Sequence, residues 1–162
     1  MITSLASCNH TNNEVIAQTD VETFIDLLKS NQYDSLNLPP FTYSDIPALL
    51  QFRNESQMIT NFPHNPISSY YQAECALGMY VLWTIESIRA ISIQSEYLTK
   101  RFPSQNPVLA NRNSTTLDIV LDSASQSIAA EAYYNWWENN KDLDFNDFKS
   151  IDPLENTPYK WH

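Results

Sequence analysis

Hydrophobic positions recur with a helical period in several stretches of the chain. Val21, Phe24, Ile25 and Leu28 fall at i, i+3, i+4 and i+7, and Thr19 with Glu22 has the spacing of a capping box. A helix over about 20–30 follows, with Asn31 able to take the left-handed C-terminal position that glycine would otherwise fill. Ser44 can cap a second helix with Pro47 in its first turn; Ile46, Leu49, Leu50 and Phe52 form its apolar face, and Asn54 or Asn61 closes it. Ser69 with Gln72 opens a long helix that runs to about Thr99, before Pro103, with Leu77, Val81, Ile85, Ile88, Ile91 and Leu98 as its stripe. Tyr80 and Trp83 widen that stripe, so this helix is expected at the centre of the core. Thr115 with Asp118 begins a last long helix, striped by Leu117, Leu121, Ala124, Ile128 and Ala132 and stopped at Asn139-Asn140. A short helix is expected at about 144–150, and the segments 33–43, 62–66 and 105–113 read as loops.

These elements predict an all-α chain: a single compact domain of four to six helices, built as a HEAT-like superhelix or as a closed bundle. Composition pushes the same way. The chain of 162 residues has one glycine, Gly78, where average usage gives about eleven. Glycine-rich phosphate loops and dinucleotide turns cannot be written with one glycine, and hairpin turns with positive φ lack their usual residue. A net charge of −10 repels phosphate backbones, so nucleic acid is not an expected partner. Carboxylates crowd the end of the chain, where seven from Glu131 onward face three lysines.

The segment Leu5-Ala6-Ser7-Cys8 resembles the lipobox of bacterial lipoproteins, in which the Cys thiol carries a lipid. The resemblance divides the chain into residues 1–8, the remnant of a signal peptide; a polar tether, 9–18; and the helical domain, 19–162. Seven residues without Lys or Arg precede Cys8, so a working signal would need a start further upstream. Further along stand Ser44-Asp45-Ile46-Pro47-Ala48-Leu49-Leu50, Asn61-Phe62-Pro63, Asn65-Pro66-Ile67-Ser68-Ser69, Gly78-Met79-Tyr80 and Leu82-Trp83-Thr84-Ile85-Glu86-Ser87-Ile88-Arg89. Together these runs resemble a family of small gut Bacteroidetes proteins with a domain of unknown function. That resemblance implies an envelope lipoprotein, on the periplasmic face or the outer membrane, and offers no catalytic residues.

Catalytic chemistry finds little support. His10, His64 and His162 share no metal-ligand spacing, and Cys75 is expected as a small buried hydrophobe on the long helix with no disulfide partner, so neither metal nor cofactor is implied. Asp142, Asp144 and Asn146 alternate like calcium-loop ligands, but Asp147 and Pro153 stand where Gly and Glu are required. Glu74 and Glu86 on the long helix are the best carboxylate pair for a glycan hydrolase, although Glu86 three residues before Arg89 equally makes a surface ion pair. The aromatic clusters Tyr70-Tyr71, Tyr80 with Trp83, and Tyr133, Tyr134, Trp136 and Trp137 either fill the ends of the core or offer rings to a ligand; an exposed Trp136 or Trp137 would favour the second. Asp34-Ser35-Leu36 and Asp122-Ser123-Ala124 resemble a short O-glycosylation signal of Bacteroidetes envelope proteins, with Ser35 the more accessible. The expected function is therefore a non-catalytic interaction module, attached to the membrane through lipid on Cys8 and facing a protein or a glycan, with a glycan-binding protein or glycan hydrolase as the alternative.

Overall fold

A computed structural model describes residues 20–162, so Cys8, the tether and the Thr19 cap lie outside the described residues. Helix α1 (Val21–Lys29) buries the predicted face of Val21, Phe24, Ile25 and Leu28. Its N-cap is Asp20, whose carboxylate accepts from the Thr23 N–H at 2.8 Å. Asn31 ends it at φ 56°, as expected, while the Gln32 N–H reaches back to the Leu27 carbonyl. A 3-10 turn (Tyr43–Asp45), boxed by Thr42 and Asp45, leads into α2 (Ile46–Leu50) with Pro47 in its first turn. The expected Ser44 cap is thus replaced by Thr42.

The all-α expectation fails. The described residues are 38% helix and 10% strand, and the strands form two small antiparallel sheets. β1 (Met58–Ile59) pairs with β2 (Cys75–Ala76). β3 (Leu109–Asn111) lies between β4 (Ile119–Val120) and β5 (Tyr159–Trp161). Strands of two or three residues carry no readable period, and none of these pairs needs a tight hairpin, because long loops or helices separate the partners in sequence. Scarce glycine therefore did not exclude them. Where the backbone does require positive φ, Asn31, Gln94 and Lys100 adopt it.

The long central helix is α3 (Leu77–Ser92), seven residues later in starting than the Ser69 cap predicts. Instead of a side-chain cap, the N–H groups of Leu77 and Gly78 donate to the carbonyls of Gln57 and Glu55, at 2.9 and 2.8 Å. Cys75 consequently sits in β2 and Glu74 is an exposed loop residue, so neither is on the helix. At the other end Gln94 turns left-handed at φ 53°, and the Ser95 N–H closes on the Ala90 carbonyl. Every residue from Leu77 to Ala90 is buried, which confirms α3 as the core element.

Helix α4 (Ser123–Asn140) begins at an Asp122 cap, where Oδ1 accepts from the Ser125 N–H at 2.8 Å. Residues before it form a loop and β4, so the expected stripe is on the wrong face: Leu117, Leu121 and Ile128 are exposed. The buried stripe is Ser125, Ala129, Tyr133 and Trp136, at i, i+4, i+8 and i+11. Two aromatic rings, Tyr133 and Trp136, fill the core on that face, and the small residues ahead of them allow α4 to approach α3. Gly78 stands where α3 meets both the segment after α2 and α4. A Cβ there would stand 2.4 Å from the Arg53 carbonyl oxygen and 2.8 Å from Gln126 Nε2. A short α5 (Phe145–Phe148), capped by Asp144, falls where expected. No helix among the described residues is long and apolar enough to cross a membrane.

Candidate functional site

The C-terminal aromatic cluster does not form an exposed platform. Tyr133 is fully buried and Trp136 is 6% exposed. Trp137 is half-buried with its ring 6.0 Å from that of Phe148. Tyr134 alone reaches the surface, and the Arg53 guanidinium covers its ring at 4.2 Å. The exposed tryptophan that would have favoured binding here is not present at Trp136 or Trp137.

Tyr133 belongs to a closed polar network. Its hydroxyl donates to Glu86 Oε2 at 2.7 Å and accepts from Trp161 Nε1 at 2.8 Å. Arg89 grips Glu86 with two guanidinium donors and reaches the Lys149 carbonyl with a third. The Glu86–Arg89 pair is thus buried, a correction to the surface pair expected from its spacing. Burial pulls the Arg89 pKa down, but the hydrogen bond and charge of Glu86 outweigh that and leave it raised. Burial, reinforced by the Glu86 charge, drives the Tyr133 phenol well above its ordinary value. Both oxygens of Glu86 are taken, so it has no free position from which to act on a substrate. The network ties α3, α4, β5 and the end of α5 together.

A cleft of about 500 Å³ opens on the opposite end of α4. Its walls are the segment 70–76, Pro107 and Val108 beside β3, Met58 of β1, and residues 120–126 where β4 runs into α4. Local hydrogen bonds fix the first wall. Ser68 Oγ donates to the Tyr70 carbonyl at 2.9 Å, Asn65 Nδ2 donates to the Ser104 carbonyl at 2.8 Å, and the Asn106 amide lies 2.8 Å from His162 Nδ1. The Gln105 and Asn106 N–H groups both donate to the His162 carbonyl, so β5 and its end brace the loop.

Gln72 in that wall is only 7% exposed, yet its Oε1 has no hydrogen-bond partner. Arg112 Nε and Trp136 Nε1 are likewise buried without partners, but neither lines this cleft. A native fold rarely leaves such an atom orphaned unless water or a ligand satisfies it. Around Gln72 stand Glu74, Asp122, Ser123 and Gln126, and no Lys, Arg or His lines the cleft. Tyr71 stands at its rim, 76% exposed, with its ring stacked on His64 at 5.4 Å and 29°. His64 in turn packs on Phe62 at 4.4 Å. Tyr71 also borders a second depression of about 450 Å³ with Asn61, His64 and Asp34.

The other sequence candidates add no reactive group to this arrangement. Cys75 lies at the floor with Sγ 3.6 Å from the Pro107 carbonyl, and burial pushes its thiol far up, so it packs and does not react. Asp144 caps α5 by accepting from Asn146, and among the described residues no group of acidic, His or Cys side chains could hold a metal ion. Ser123 is exposed while Ser35 is half-buried with its hydroxyl bonded to the Asn37 carbonyl, the reverse of the expected accessibility.

A family model described as a domain of unknown function (DUF4943) matches residues 15–162. The chain belongs to DUF4943. Neither a curated protein nor a solved structure matches it. For this DUF4943 chain the site therefore rests on its own geometry. In the sequence Tyr70 and Tyr71 stand out as an aromatic pair, whereas Gln72 reads only as the helix-capping partner of Ser69. Nothing local in the sequence signals the burial of that amide, which arises where β2, β3 and the start of α4 converge.

Proposed function

We propose that the chain is a non-catalytic binding module of the cell envelope, anchored by lipid on Cys8, and that its ligand occupies the Gln72 cleft. The orphaned buried amide oxygen of Gln72 carries the reading, since burying such an acceptor without a partner costs about 1–3 kcal/mol that a ligand hydrogen bond would return. The volume falls within the range of small-ligand sites. The Bacteroidetes resemblance and the Cys8 lipobox support the address.

Amide NMR spectra recorded during titration with neutral saccharides, amino acids and short peptides test the site. Shifts centred on residues 70–76 and 120–126 are expected; no shift with any probe would overturn the reading. The address is tested by the intact mass of the protein from membranes of its native host, expressed from the full upstream frame, beside a Cys8→Ala control. A chain that begins at Cys8 and carries acyl groups is expected, and an unmodified chain would remove the anchor.

A hydrolase is the second reading, because Glu74 and Asp122 both face the cleft. Both are exposed, and one oxygen of Asp122 already caps α4, whereas a glycosidase acid sits in an apolar enclosure. Ligand turnover lost in Glu74→Gln would put the hydrolase first.

A further inference from the structure

We infer that the ligand of the Gln72 cleft is a neutral oligosaccharide whose chain passes over Tyr71 into the adjoining depression. The inference rests on the binding reading above and names its ligand class.

Charge narrows the choice first. With Glu74 and Asp122 in the wall and no cationic side chain among its residues, a phosphate, sulfate or uronate group would meet repulsion without a countercharge. The polar groups on offer are the Gln72 and Gln126 amides, the Ser56 and Ser123 hydroxyls and the two carboxylates. Carboxylates only accept, while amides do both. A ligand hydroxyl, which donates and accepts, can satisfy either kind of partner at once. A saccharide supplies many such hydroxyls at fixed spacing.

The apolar part of the site points the same way. Met58, Val108 and Val120 line the cleft, and Tyr71 offers a flat ring at its rim. Stacking on His64, itself packed on Phe62, holds that ring in place before any ligand arrives. The C–H face of a pyranose can lie on such a ring while its equatorial hydroxyls turn toward the carboxylates and amides. Because Tyr71 belongs to both depressions, a chain stacked on it has sugar units on either side. In the second depression Asn61, Thr60 and Asp34 continue the supply of amide, hydroxyl and carboxylate partners, and Lys100 also lines it.

An array of immobilised gluco-, manno-, xylo- and galacto-oligosaccharides, from disaccharides to hexasaccharides, beside uronate-bearing and sulfated glycans, tests this with the folded protein. At least one neutral series should bind, and calorimetry should show affinity rising about tenfold from disaccharide to tetrasaccharide. Tyr71→Ala and Gln72→Leu should each weaken binding about tenfold with unchanged circular dichroism and no loss of melting temperature. Binding confined to charged glycans, or neutral binding that Tyr71→Ala leaves untouched, would overturn the inference. If Lys-containing peptides shift the cleft amides and no neutral oligosaccharide does, the ligand class falls while the binding module stands. If no probe shifts them, both fall.

Discussion

Glu86 and Gln72 are both polar side chains more than nine-tenths buried, and the protein treats them in opposite ways. Glu86 is met on every side, by Arg89, by the Tyr133 hydroxyl and, through that hydroxyl, by Trp161. Gln72 has an amide oxygen with no partner at all, in the wall of an open cleft. The saturated cluster holds elements together that are distant in sequence and has no spare valence for chemistry. The unsaturated one stores a binding opportunity at a cost in stability. Satisfaction of hydrogen bonds, more than burial or charge, separates the structural polar site from the functional one.

The largest effect should come from breaking the saturated cluster. Arg89→Met leaves a buried Glu86 without its countercharge and should cost about 3–5 kcal/mol in urea denaturation. Adding Glu86→Gln should recover a substantial part of that loss, because the orphaned charge disappears. If the double variant is no more stable than the single, the network contributes through shape alone. Next in size is Gly78→Ala. Its Cβ would meet the Arg53 carbonyl at 2.4 Å, and overpacking of this kind costs about 1–3 kcal/mol against a helix-propensity gain of up to about 1. Gln126→Ala in the same chain should not rescue it, because the nearer atom is backbone. Full rescue would show that the Gln126 amide, rather than the Arg53 carbonyl, limits the space at Gly78.

The two regions also differ in how far a sequence reading reaches them. In helix α1 the buried face and the Asn31 terminus are legible, because its stripe and its stop signal lie within one local window, although the cap is Asp20 where the spacing points to Thr19. α3 was legible as a core helix from its apolar residues, but its start was not, since the caps of Leu77 and Gly78 are carbonyls some twenty residues earlier. α4 was placed on the wrong face because Leu117 and Leu121 extend an apparent period into what is a loop and a short strand. The pairing of Glu86 with Arg89 was visible in their spacing. Its burial was not, since Tyr133 and Trp161 come from the far end of the chain. The cleft was the least legible, because Gln72 acquires its character only from three converging elements.

Gln72→Leu should reverse the sign of the first two effects. Replacing an unsatisfied amide by an apolar side chain of similar size removes a desolvation penalty, so stability should hold or rise by up to about 1 kcal/mol while ligand binding weakens about tenfold. Such a trade between stability and activity is the mark of a functional polar group. A destabilisation of similar size would instead place Gln72 among the structural contacts and dissolve the contrast with Glu86.

The smallest effect concerns the ring beneath Tyr71. Burial against Phe62 and Tyr71 lowers the His64 pKa from 6.5, so the fold holds the imidazole neutral where the unfolded chain would protonate it. Below pH 6.5 the unfolded state therefore binds more protons than the folded one, and stability falls with pH until His64 also titrates in the fold. His162 is lowered by burial in the same direction and adds to the slope. Relief of the net charge of −10 on acidification acts on the whole chain, so the informative quantity is the difference between wild type and His64→Gln. Chemical denaturation from pH 7.5 down to 5 should show the two chains converging as pH falls, by an amount that solvent exposure keeps small. Curves that stay parallel would mean that the His64 ring is not held between Phe62 and Tyr71, and with it would go the preorganised platform on which the cleft depends.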